Sequence, residues 1–142
     1  MLPLIAKPGL DGADLRRRVE ALVACLPDGE AESELRTLGP LAAPLLLDRV
    51  RDTREPRRRE VMTIAADTAA SGGVPELVGL LEDADGEVRR LAAEALARVT
   101  GETLGRTPGQ WRHGTDAAAV GRWRGWWRAN RRRCVPARQP PT

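Results

Sequence analysis

The chain has 142 residues, the length of one domain. It contains no Phe and no Tyr, and Ala, Leu and Val supply nearly all of its apolar surface, which excludes a β-sandwich built on β-branched and aromatic residues. Residues 1–101 carry 14 basic against 18 acidic side chains, while residues 102–142 carry nine arginines against Glu102 and Asp116, so the net charge of +3 hides an acidic body and a basic end.

Residues 1–13 read as an N-terminal extension. The run from Met1 to Ala6 is mildly apolar but short, broken by Pro3 and without a basic leader, so no signal peptide is expected. No stretch approaches the length of a membrane span. Two cysteines, Cys25 and Cys134, with no CxxC between them, fit a reducing compartment, and a cytoplasmic protein is expected.

The first predicted helix covers 14–26, with Leu15, Val19, Leu22, Val23 and Leu26 on one face. Cys25 is expected to be buried there as a small hydrophobe. Asp28-Gly29 turns the chain into a short helix over about 31–38, which Gly39-Pro40 ends. A helix over 41–52 and another over about 55–70 follow, closed by Ser71-Gly72-Gly73.

The clearest pair comes next. One helix runs over about 74–82, with Pro75 tolerated in its first turn. Asp83 to Gly86 is turn chemistry, and Asp85 is a suitable N-cap for a second helix over about 86–99. In that helix Val88, Leu91, Ala92, Ala95, Leu96 and Val99 form the apolar stripe. Glu87 with Arg90, and Glu94 with Arg98, are spaced as helix-neighbour ion pairs.

Beyond Gly101, Gly105, Pro108 and Gly109 predict loop. A last helix over about 115–130 is expected to start near Thr115 or Asp116 and to carry Trp123, Trp126 and Trp127 on one stripe. Residues 102–130 thus read as a loop plus a C-terminal capping helix, and 131–142 as a disordered basic tail.

Two of these pairs are in register. Pro44 and Pro75, Asp52 and Asp83, and Arg58 and Arg89 are each 31 residues apart. The earlier copy departs at Arg57, where the later has Val88, and at Glu60, where the later has Leu91. With Pro75, Asp83, Val88 and Arg89, the chain resembles the HEAT-repeat family of armadillo-type proteins. The stretch TGETLG at 100–105, followed by Trp111, Trp123, Trp126, Trp127 and Asn130, resembles the end piece of some bacterial HEAT-repeat proteins. The resemblance implies an all-α fold: a short right-handed α-solenoid of about three helix pairs over 14–101, with a Trp-rich capping helix. It also implies that Asp52, Arg58, Asp83 and Arg89 form a ladder between neighbouring pairs, and that the role is to bind another protein as an adaptor or scaffold.

Candidate chemistry is sparse. His113 is the single imidazole, and acid–base or nucleophilic catalysis needs a second oriented group, so no catalytic residue and no cofactor is expected. The acidic run from Glu82 to Glu87 lacks the ligand spacing of a calcium loop, and no metal is expected. The surface of the second helices offers Arg59, Thr63, Asp67, Arg90, Glu94 and Arg98 as a protein-binding face. The alternative partner is nucleic acid, gripped by Arg124, Arg128, Arg131, Arg132 and Arg133 beside the tryptophans.

Overall fold

The computed structural model describes residues 12–70 and 73–134, the last two by backbone alone. Among the described residues there are eight α-helices and no strand. α1 spans Gly12–Ala24, α2 Gly29–Leu38, α3 Ala43–Arg51, α4 Arg58–Thr68, α5 Val74–Leu80, α6 Gly86–Thr100, α7 Pro108–His113 and α8 Ala117–Cys134, with a 3-10 turn at Gly39–Leu41. The all-α expectation holds.

Local chemistry sets the ends of these helices. Asp28 caps α2 by accepting from the Ala31 amide at 3.0 Å, and Gly39 leaves the helix at φ 57°, a backbone that favours glycine. Asp85 caps α6, and Gly101 closes it in the left-handed region at φ 78°. Pro44 and Pro75 sit in the first turns of α3 and α5, where a missing N–H costs no helical hydrogen bond. Asp116 accepts from the Ala119 amide at 3.1 Å and so starts α8.

The helices pack in two rows. α1, α3, α5 and α8 touch in that order, and so do α2, α4, α6 and α7; α1 also packs on α2, α3 on α4 and α5 on α6. Between the rows runs one apolar core of small aliphatic side chains, including Val23, Leu35, Leu46, Leu47, Val61, Ile64, Leu77, Leu81, Val88 and Leu96. Its C-terminal end holds the aromatic mass: Trp111 is fully buried, and Trp123 is buried with its ring edge-on to Trp126 at 5.8 Å.

Four expectations need correction. Cys25 is exposed, because α1 ends at Ala24 and the turn lifts it off the apolar face. A helix, α7, lies in the stretch read as loop: Thr107 and Gln110 form a reciprocal capping box around Pro108, and this overcomes the local glycines. α8 continues through Arg131 to Cys134, so the first part of the expected disordered tail is helical; 135–142 lies outside the described residues, as does 1–11 of the leading extension. The ladder is half formed. Arg58 reaches Asp83 across the joint between pairs, but Asp52 is exposed and takes only the neighbouring Arg54.

Candidate functional site

The arginines divide by what they hold. One group closes helix C-termini, whose last carbonyls have no partner within the helix. Arg58 Nε donates to the Val50 carbonyl of α3 at 2.7 Å, and Arg98 donates to Ala66 and Ala69 at the end of α4 at 2.6 and 2.9 Å. Arg57 reaches back to the Leu26 carbonyl at 3.0 Å, which is how a charged side chain fits where the later pair has Val88. Arg89 is the extreme case. It is buried, and it donates to the carbonyls of Trp111 at 2.7 Å, Asp83 at 2.6 Å and Arg112 at 3.0 Å. Arg106 adds bonds to Gln110 and Gly114 and lies 4.8 Å from the centre of the Trp111 ring. The short α7 is thus gripped at its C-terminus by two guanidinia.

A second group converges on the acidic corner between α5 and α6. Glu82 pairs with Arg124 of α8, Asp83 with Arg58 of α4, Asp85 with Arg59 of α4, and Glu87 with Arg90 and Arg112. Arg59 is the largest influence holding the Asp85 carboxyl below its usual range, with the Glu87 amide adding to it against the effect of burial. Arg90 does the same for Glu87. The carboxylates of this corner hold arginines of four helices, and among the described residues no group of three or more His, Cys, Asp or Glu is arranged to hold a metal ion.

These pairings bear on the six positions expected to meet a partner. Arg59 is bound to Asp85, Asp67 to Arg36 of α2, and Arg90 to Glu87 and Glu94; Thr63 donates to the Arg59 carbonyl of its own helix. Arg98 makes no pair with Glu94, since it crosses to the carbonyls of α4. The structure does bring the six onto the same row of helices, but Arg59, Asp67 and Arg98 brace α4 against its neighbours, while Thr63, Arg90 and Glu94 bond within their own helices. His113 is exposed at the end of α7.

The α8 arginines differ. Arg124 is exposed and holds Glu82 at 3.0 Å. Arg128, Arg131 and Arg132 are exposed and make no ion pair or hydrogen bond with the described residues; the side chain of Arg133 lies outside them. Arg124, Trp127, Arg128 and Arg131 follow the i, i+3, i+4, i+7 spacing and so share one side of α8. Trp127 is half-buried, and between it and α5 lies a mostly apolar pocket of about 200 Å³ lined by Pro75, Val78, Gly79, Arg124 and Arg128. The tryptophan spacing gives the stripe that packs on the core; the pocket depends on α5 and on the missing side chain at Gly79, which spacing within α8 does not reveal.

No helix among the described residues is long and apolar enough to cross a membrane. Compared with known proteins, the chain matches no protein-family model, no curated protein and no solved structure.

Proposed function

We propose that the chain is a non-catalytic protein-binding module, a short α-solenoid of three HEAT-like helix pairs closed at its C-terminal end by α7 and α8. The order of packing carries this reading. Helices that follow one another along two rows bury stripes that no single pair could bury alone, and such arrays work by surface docking. The lone exposed His113, with no oriented partner group, supports a binding role over catalysis. A cytoplasmic adaptor or scaffold fits the two widely separated cysteines.

One observation favours a second reading. Arg128, Arg131 and Arg132 face solvent without acidic partners, as a phosphate-binding edge requires, and with Arg124 and Arg133 they could grip nucleic acid. Affinity capture from the source cell, repeated after nuclease treatment and with Arg131, Arg132 and Arg133 each changed to Glu, separates the two. A protein recovered in all three arms, and recovered again when that protein is the bait, supports the module. Retention on DNA or RNA alone, falling steeply with salt and lost in the triple variant, overturns it in favour of nucleic acid.

A further inference from the structure

We infer that the pocket between α5 and α8 receives an acidic segment of a partner protein, which sets one apolar side chain against Trp127 and one carboxylate on Arg128. The inference rests on the protein-binding reading and assigns it a place.

The pocket itself argues for an apolar occupant. Its volume of about 200 Å³ exceeds the roughly 150 Å³ that suffices for a benzene-sized group. The Trp127 ring forms one wall, with Pro75 and Val78 opposite. Gly79 leaves it open: a Cβ built there meets no atom within 4 Å. A half-buried tryptophan beside empty apolar space is the kind of anchor that carries binding energy at protein interfaces.

The rim argues for a carboxylate. Arg124 and Arg128 stand at its edge, and a guanidinium matches a carboxylate with two parallel hydrogen bonds. Arg124 already holds one, from Glu82 at 3.0 Å, while Arg128 holds none. The surroundings disfavour a polyphosphate. Glu76, half-buried in the first turn of α5, and Glu82 just beyond its last turn place negative charge at both ends of that helix. A nucleic-acid strand would run its phosphates past them. A peptide can place a single carboxylate on Arg128 and turn away.

A displayed library of random short peptides, selected on the full chain at physiological salt, tests this. The expected survivors carry a large apolar residue next to Asp or Glu. Gly79→Leu, which fills the pocket while favouring the helix, and Arg128→Glu are each expected to weaken a selected peptide by about tenfold or more, the range of interface anchors, with no loss of thermal stability. Arg132→Glu, one turn beyond Arg128 and outside the pocket lining, is expected to leave it within about threefold, as a rim charge does. Enrichment that persists on the Gly79→Leu chain, survivors without acidic residues, displacement of the peptide by oligothymidine at lower concentration than by poly-glutamate, or self-association that Gly79→Leu abolishes would each overturn it. A cellular protein partner whose capture is indifferent to Gly79→Leu and Arg128→Glu removes the groove and leaves the module standing; recovery of no protein partner removes the module as well.

Discussion

Arg89 and Arg128 are the same side chain in opposite settings. The first is buried at the start of α6, where its guanidinium joins three main-chain carbonyls from two segments. The second stands exposed on α8 with no carboxylate or carbonyl bound to it. Between these extremes lie Arg58, which bridges the Val50 carbonyl and Asp83, and Arg59, exposed but tied to Asp85. The planar fork explains the choice of arginine over lysine at the joints, since one side chain can satisfy two acceptors lying in different helices. It also shows why charge alone is a poor guide to a binding surface here. Where a guanidinium finds main-chain carbonyls it holds the fold together, and only those left over can meet a partner.

The contrast can be broken at its strong end first. Arg89→Met is expected to cost about 3 kcal/mol or more in denaturant unfolding, because it strips a buried charged donor from carbonyls that water reaches poorly. A loss below about 0.5 kcal/mol, the range of ordinary surface changes, would show that α7 is held by other means. Gly86→Ala attacks the same joint by volume. A Cβ there would lie 2.3 Å from the Arg112 carbonyl oxygen, so α7 must move, at a cost of about 1–3 kcal/mol.

Asp85→Ala is expected to cost about 1 kcal/mol through the lost N-cap, measured by the same unfolding curves at neutral pH. Its pH dependence has a definite sign. The folded Asp85 carboxyl is held below its ordinary 3.8, and that of Glu87 below its ordinary 4.5. A depressed carboxyl contributes stability that is present above the unfolded value and lost as pH falls through the folded one. Stability should therefore decline below these ordinary values, and the gap between the parent and Asp85→Ala should narrow there. Smallest of all is Arg128→Gln, expected to change stability by less than about 0.5 kcal/mol in the same assay.

Much of the helix pairing was legible in the sequence because it is written in apolar spacing. Val88, Leu91, Ala92, Ala95 and Leu96 are buried as their stripe predicts, and Asp85 caps the helix they belong to. The contacts of the arginines that close helix ends were not, for a physical reason: their acceptors are main-chain carbonyls, which every residue carries and no residue type announces. Arg98 shows the competition. Its spacing from Glu94 satisfies a helix-neighbour rule worth ~0.2–0.5 kcal/mol, and two open carbonyls at the end of α4 take it instead. α7 left a readable trace in Thr107-Pro108 and Gln110, outweighed in the sequence by Gly101, Gly105 and Gly109. The groove beside Trp127 had no such trace, because one wall is an absent side chain in a different helix.

The forward reach of Arg58 to Asp83 gives the molecule a direction of growth. This joint asks the preceding pair for an arginine and the following pair for an aspartate, 31 residues after its own counterpart. A further unit of that length, inserted between Ala70 and Gly73 and carrying its own Pro, Asp and Arg, would meet a matching donor before it and a matching acceptor after it. The same unit placed after Thr100 would have to prise Arg89 from Trp111 and Arg112. Lengthening is therefore accommodated in the interior of the array, with α7 and α8 retained as its terminus.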